Sequence, residues 1–380
     1  MQKLLKGLFE KVEPLFERDG KLERLYPAYD AFKTLVFVLP NKTSSGAHIR
    51  DDFDSKRMMV TVIFSLIPPT LFGIYNIGYQ RLISLNEAFT FSDAVLQGLI
   101  RFLPILIVTY VVGLGCEFLI ACIRRHEVSE GFLVSGFLIA LIVPPTIPLW
   151  QLAVATLFGV IIGKEIFGGT GMNIFNPALV TRAFLFFAYP SKMSGNIPWV
   201  SPVDSMTAAT PLLAKSSNLN ITYDWYDMFY GYIPGSIGET STFAILIGAI
   251  ILLITKIGNW RTMLSTCIGM LFTSIMLNQL SMFSNNPMLT LTAMEHFVMG
   301  GFAFGMVFMA TDPVSSAHTN SGRFLYGFLI GFMVVVIRCI NPAYPEGMML
   351  AILFANAFAP LIDYYVLQNH IKKRQLQYEK

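Results

Sequence analysis

The chain has little charge and few of the residue sets that build soluble catalytic centres. Asp, Glu, Lys and Arg make up 13% of its 380 residues, against 54% hydrophobic residues and a mean hydropathy of +0.57. Soluble globular domains carry roughly 25% charge, so a water-soluble fold is excluded and an integral membrane protein is expected. The four cysteines, Cys116, Cys122, Cys267 and Cys339, lie in or beside apolar stretches without Cys-x-x-Cys spacing. That pattern argues for structural thiols over disulfides or metal ligands. The five histidines are scattered and no His/Glu set has zinc spacing, so no transition-metal site is expected. Gly168-Gly169-Thr170-Gly171 lacks the Lys-Ser/Thr of a phosphate loop and follows no strand, so the usual nucleotide-binding signatures are missing. No basic groove interleaved with stacking aromatics is present, and the net charge of +3 does not point to nucleic acid. Residues 1–18 mix charged and apolar positions, so no cleavable signal peptide is expected.

Apolar runs occupy most of the length and leave no room for a separate soluble core. An all-α polytopic membrane protein with ten spans is expected, at about 58–78, 98–121, 131–147, 150–166, 173–190, 241–258, 262–280, 296–311, 324–340 and 347–368. Several are shorter than the ~20 residues that cross hydrocarbon. Those broken near Pro144-Pro145 and Asp312-Pro313 suggest discontinuous helices whose free backbone groups line a buried site.

Lys and Arg set the expected topology. Eleven basic residues from Lys3 to Arg57 precede the first span, which puts the N-terminus in the cytoplasm. Arg124-Arg125, Lys164, Lys256, Arg261, Arg323 and Lys372-Lys373-Arg374 then fall on the same side, while 281–295 and 341–347 contain no basic residue. The fifty residues of 191–240 include only Lys192 and Lys215, so that loop faces the exported side and both chain ends face the cytoplasm. Near the start, Leu4, Leu5, Leu8, Phe9, Val12, Leu15 and Phe16 recur at helical spacing, as in a helix lying on the membrane surface or docked on a partner protein.

The landmarks repeat in order. Gly131-Phe132-Leu133-Val134-Ser135-Gly136-Phe137, Val143-Pro144-Pro145 and Asn176-Pro177-Ala178 are echoed 165 to 168 positions later by His296-Phe297-Val298-Met299-Gly300-Gly301-Phe302, Thr311-Asp312-Pro313 and Asn341-Pro342-Ala343. Two five-span repeats are therefore expected. The resulting division is a cytoplasmic segment 1–57, a first repeat 58–190, an exported-side loop 191–240, a second repeat 241–368 and a basic tail 369–380.

Within the loop, Asp204-x-x-Thr207-Ala208-Ala209-Thr210 matches the Asp-x-x-Ser/Thr-Gly/Ala-Ala-Thr pattern at which a flavin transferase joins FMN phosphate to a Thr hydroxyl. The small residues before Thr210 let an extended strand enter the transferase, and Asp204 offers an acidic recognition point. A plain helix start at Thr210-Pro211 explains the same residues.

Longer stretches narrow the choice: Lys164-Glu165-Ile166-Phe167-Gly168-Gly169-Thr170-Gly171 with Asn176-Pro177-Ala178-Leu179, Ile233-Pro234-Gly235-Ser236-Ile237-Gly238-Glu239, Met309-Ala310-Thr311-Asp312-Pro313-Val314-Ser315 and Asn341-Pro342-Ala343-Tyr344-Pro345-Glu346-Gly347. Over essentially the whole chain they resemble the NqrB family, the B subunits of the bacterial sodium-translocating NADH:quinone oxidoreductase (Nqr). The related RnfD family, from ferredoxin:NAD+ oxidoreductase ion pumps, shares a similar membrane core. The long basic N-terminal segment with His48-Ile49-Arg50-Asp51 and Lys56-Arg57 looks more like the former. One departure is Thr207-Ala208-Ala209-Thr210 where the family often has Ser-Gly-Ala-Thr. Ala for Gly reduces backbone freedom without removing the acceptor hydroxyl.

The resemblance implies a urea-transporter-like bundle in the bacterial inner membrane and five partner subunits. It further implies covalent FMN on Thr210, a riboflavin site, a quinone site for ubiquinone or menaquinone near the cytoplasmic surface, and sodium export. By resemblance, Gly113, Gly115 and Glu117 belong to the quinone region. Glu117, Asp312, Asp363 and Asp30 are sodium-pathway candidates. Each acid has a plainer reading. Glu117 can snorkel to the interface near Arg124, Asp312 or Asp363 can pair with Arg182 or Arg338, and Glu239 reads as a helix-start residue. A non-redox channel or a scaffold for redox subunits remains open.

Overall fold

The computed structural model describes residues 14, 16, 26, 29, 55–86, 88–125, 131–193, 199, 210–218, 223–284, 286–341 and 346–378. The surface helix expected near the N-terminus, Asp30, and Asp204 to Ala209 of the loop motif lie outside them. Among the described residues the chain is helical, with no strand. The helices are α1 Ser55–Ser84, α2 Phe91–Arg124, α3 Gly131–Ile142, α4 Leu149–Gly163, α5 Pro177–Ala188, α6 Pro211–Ser216, α7 Trp225–Tyr230, α8 Thr242–Ile254, α9 Trp260–Leu280, α10 Ala293–Val298, α11 Asn320–Ile340 and α12 Met348–Tyr378.

Local chemistry starts and stops them. Asn176 accepts from Ala178 N at 3.0 Å, with Pro177 in the first turn. Ser241 accepts from Ala244 N at 3.2 Å, and Thr319 accepts from Gly322 N at 3.1 Å. Such caps satisfy amide groups that a helix start leaves unpaired. At the other end of α2, Arg125 takes the left-handed conformation, φ +56°, and closes the helix.

Among the described residues, six helices are long and apolar enough to cross a membrane: α1, α2, α4 with its extension to Phe167, α9, α11 and α12. On α2 the division of faces is plain. Leu96, Ile100, Leu103, Ile107, Val111, Leu119 and Ile123 form an exposed apolar stripe, whereas Gly98, Phe102, Ile105, Thr109, Gly113, Cys116 and Glu117 turn inward. A helix in lipid needs that apolar outer face.

The remaining expected spans are shorter. The expected 131–147, 173–190 and 241–258 become the 12-residue α3, the 12-residue α5 and the 13-residue α8. At 1.5 Å per residue each is roughly 18–20 Å long, well short of the hydrocarbon thickness of about 30 Å. The expected 296–311 is broken into α10, a turn at Phe302–Phe304 and a π-helical turn at Gly305–Met309. Proline and glycine account for the breaks. Pro144-Pro145 lack amide hydrogens after α3, and Gly300, at φ +64°, separates α10 from the turn that follows.

Parts of these short pieces occupy the interior, although α8 keeps an exposed apolar face in Phe243, Ile250 and Ile254. Leu138 to Ile142 of α3 are essentially inaccessible, as are Phe302, Phe304 and Gly305 to Met309. The long helices surround them: α2 packs on α1 and α4, α9 on α11, and α11 on α12. Two further contacts, α1 with α8 and α5 with α12, join the earlier and later halves of the chain. Missing side chains bring backbones together. A Cβ on Gly331 would meet the Thr266 carbonyl and lie 2.6 Å from Met270 N, and one on Gly269 would lie 3.1 Å from Phe328 Cα. Close packing of this kind holds helices where lipid supplies no hydrophobic drive.

Gly331→Leu is expected to wedge α9 from α11 and cost at least the ~1–3 kcal/mol typical of overpacking. The thermal midpoint of the detergent-solubilised protein should fall clearly. Gly115→Ala, whose Cβ would meet nothing within 4 Å, should leave it unchanged.

Candidate functional site

Where the short helices end, they leave a cavity that is partly open to its surroundings, with about 770 Å³ of empty space when the open part is counted. Its walls come from both halves: Val62 of α1, Val134 and Leu138 of α3, Lys164 at the end of α4, Leu252 of α8, Phe308 of the π-turn and Thr311 to Val314 after it. The segment between α4 and α5 curls beneath it because Gly168, Gly169 and Gly171 take φ of +118°, +99° and +91°, which side chains resist. Asn173, Asn176 and Thr170 from that segment line the cavity. The Thr170 hydroxyl is buried without a hydrogen-bond partner among the described residues. Buried hydroxyls are normally satisfied, so this one invites a polar ligand.

Asp312 also lines the cavity. Its Oδ1 accepts from Val314 N at 3.1 Å, and its Oδ2 accepts from Ser315 Oγ at 2.8 Å and Asn176 Nδ2 at 3.1 Å. The Asn176 bond ties the start of α5 to the break at Asp312-Pro313, joining a landmark of the first half to one of the second. Asp363 on α12 holds the same loop from its far end, accepting from His318 N at 2.6 Å and from Thr319 N and Oγ1 at 3.0 and 2.5 Å. Both carboxylates therefore fix the segment 312–319 through its own N–H and O–H donors.

The arginines expected as their alternative partners are engaged elsewhere, Arg182 with other carboxylates and Arg338 with backbone carbonyls. Arg182 on α5 donates to Glu239 and to Glu346, and Ser236 Oγ donates to the second Glu239 oxygen at 2.5 Å. Arg338 is fully buried and donates to the carbonyls of His296 at 2.7 Å, Met299 at 2.8 Å and Glu346 at 3.2 Å. Glu239 is thus no helix-start residue, because Ser241 caps α8 and Glu239 serves a buried ion pair.

Glu117 does not snorkel toward Arg124. It is buried on α2 and paired with Lys164, while Arg124 donates to the Glu165 carbonyl at 2.9 Å. Lys164, a cytoplasmic-side charge in the topology argument, is only 3% exposed. The Lys-Glu-Ile-Phe-Gly-Gly motif is its available signal. The two glycines near Glu117 also differ. Phe132 fills the space a Gly113 side chain would occupy, whereas Gly115 faces open space. Only Gly115 leaves room for a flat ring.

Thr210 sits at the start of α6, its hydroxyl accepting from Leu213 N at 3.3 Å, so the helix-start reading of Thr210-Pro211 holds for the described conformation. The α6 helix packs on the turn Pro287–Thr290. The cavity lies at the Met58 end of α1, whereas Asn76 of α1 donates to the Ile233 carbonyl at 2.9 Å in the segment leading to Glu239. Eighteen residues of helix separate those positions, about 27 Å.

A family model described as NQR2, RnfD, RnfE family matches residues 42–372. The chain belongs to this family. The B subunit of the Na(+)-translocating NADH-quinone reductase of Chromohalobacter salexigens is 48% identical over 395 aligned residues, covering 97% of this chain and 96% of its own. The protein of that name from Yersinia pestis is 45% identical, covering 99% of this chain and all of its own, and that from Pseudomonas aeruginosa is 47% identical over 97% of this chain. Membership in the NQR2, RnfD, RnfE family makes the chain a relative of redox-linked membrane subunits, whichever branch it represents.

Arg182→Met is expected to strand two carboxylates in the interior and cost about 3–5 kcal/mol, as removing one partner of a buried pair does. A lower thermal midpoint and reduced membrane yield would register the loss. Arg182→Met combined with Glu239→Gln and Glu346→Gln should recover much of it.

Proposed function

We propose that this chain is the B subunit of a sodium-translocating NADH:quinone reductase, a multi-pass membrane protein that helps carry electrons from NADH to quinone while sodium is exported. The observation that carries the proposal is near-complete alignment, at 45–48% identity, with proteins that bear that name. The NADH site belongs to a different subunit of the complex. The family model covers Rnf proteins as well, and the named relatives favour the Nqr branch over RnfD. They equally disfavour a non-redox channel.

The proposed architecture is ten spans in two five-helix repeats of urea-transporter type. Supporting it, α2 packs on α4 as α9 packs on α11, and α4 on α5 as α11 on α12. The lysines and arginines argue for cytoplasmic termini and a periplasmic 191–240 loop in the bacterial inner membrane. Thr210, in that loop, is the proposed site of covalent FMN, attached by a flavin transferase that reads Asp204, Thr207, Ala208 and Ala209.

The cavity is the proposed site of a second, non-covalent flavin of the riboflavin type. Its donor set fits a ring edged with carbonyls and N–H groups: the amides of Asn173 and Asn176, the hydroxyl of Ser135 and the unpartnered hydroxyl of Thr170. Flavins exchange one or two electrons, so such a group bridges one-electron carriers and a two-electron quinone. The chain's part is to hold the ring edge and keep it within the two halves. Gly115 and Glu117, at the same end of the bundle as Lys164, are the proposed quinone contacts. Asp312 and Asp363 are proposed to act on sodium through the 312–319 segment they clamp, with Glu117 and Asp30 as further acids of the path. Five other subunits complete the complex.

Two outcomes test this reading. Thr210→Val should abolish in-gel flavin fluorescence of the subunit while leaving its membrane level unchanged, and fluorescence that survives would contradict the assignment. Asp312→Asn and Asp363→Asn should each raise several-fold the sodium concentration for half-maximal quinone reduction. An unchanged sodium dependence in both would reduce these acids to loop fasteners.

A further inference from the structure

Lys164 stands between two parts of the proposed machinery and belongs to neither by assignment. It follows the last turn of α4, where the helix carbonyls favour a positive charge, and its chain forms part of the cavity wall. Its ammonium donates to Glu117, and no other acceptor takes a hydrogen bond from it among the described residues. An ammonium carries three N–H donors. Leaving the others without acceptors in a site this buried is costly, and the open space beside Lys164 is the cavity.

We infer that Lys164 is the cation that receives the acceptor edge of a flat, carbonyl-bearing ring in the cavity and offsets negative charge placed on that ring, with Glu117 setting how much of its charge is available. The inference rests on the cavity reading above and adds a specific electrostatic role to it. A ring bound there would gain one unit of negative charge with each electron received from the NADH side and lose it on passing that electron toward quinone. Lys164 compensates that charge without transferring a proton. Glu117, on its other side, draws the ammonium away from the cavity. Because Glu117 is also the proposed quinone contact, occupancy at one end of the pair changes the field at the other. The other charged groups nearby are already committed: Arg124 to Glu165, and Asp312 to Asn176, Ser315 and Val314.

The test is a redox titration of the non-covalent flavin in the purified complex. Its signal is isolated as the difference from a Val134→Trp complex, in which the cavity is filled from α3. Lys164→Met should lower the midpoint potential and Glu117→Gln should raise it. Each shift should reach about 59 mV, the equivalent of a tenfold change in a one-electron equilibrium. The double variant should return toward wild type, and Lys164→Arg should keep both flavin and potential. Flavin lost from Lys164→Met but retained in Lys164→Arg supports the same role. Shifts of one sign in both single variants, or no shift, overturn it. If Val134→Trp keeps its full complement of non-covalent flavin, the cavity reading itself fails, a result distinct from any behaviour of the charged pair.

Discussion

In hydrocarbon every backbone N–H and C=O must find a partner within the protein, and this constraint organises the whole bundle. A helix that stops midway exposes several such groups. The described residues nevertheless include three short apolar helices and one segment broken into α10, a turn and a π-turn. They are tolerated because the long helices surround them and because the groups freed at each break are engaged inside. Asn176 caps α5 and reaches Asp312, and Arg338 collects the carbonyls of His296, Met299 and Glu346. Broken helices make the interior polar, and a polar interior is what makes a site possible in an otherwise apolar chain.

Among the described residues, two groups of buried ion pairs stand apart. Toward Ile233 and Glu239, Arg182 joins α5 to the segments before α8 and α12, with Glu239 and Glu346 as its counter-ions. At the cavity end, Lys164 joins the end of α4 to α2 through Glu117. Desolvation makes buried pairs poor sources of net stability, yet breaking one is expensive. Their effect is to specify which segments meet. The first group fastens the two halves near the end where Thr210 starts α6. The second borders the cavity and the proposed quinone contact, where a movable charge has a use.

Much of this is legible in the sequence. Composition names the solvent, the echoed Asn-Pro-Ala and Asp-Pro landmarks mark the breaks, and the two landmarks Asn176 and Asp312 meet across the halves. What escapes is the identity of partners. Glu239 precedes an apolar run and has the local pattern of a helix start, and nothing nearby in the chain announces Arg182, 57 positions away. Lys164 reads as a cytoplasmic-side charge because it falls at the end of the expected span 150–166, although its long stem lets the ammonium reach Glu117. Gly113 and Gly115 look equivalent in sequence, since a missing side chain does not say what fills its place. Phe132 fills one and nothing fills the other. Thr210 carries two meanings at once, a cap for α6 and the end of an attachment pattern, and only chemistry on its hydroxyl separates them.

Whether this bundle carries electrons, and is not merely a channel or scaffold of the same fold, is tested most directly by mass spectrometry of the peptide containing Thr210. The peptide should come from the protein purified within its assembled complex. An electron-carrying bundle yields a peptide heavier by one phosphoester-linked FMN, with fragment ions placing the adduct on Thr210. A peptide found only in unmodified form, in a complex that reduces quinone with NADH, would contradict it.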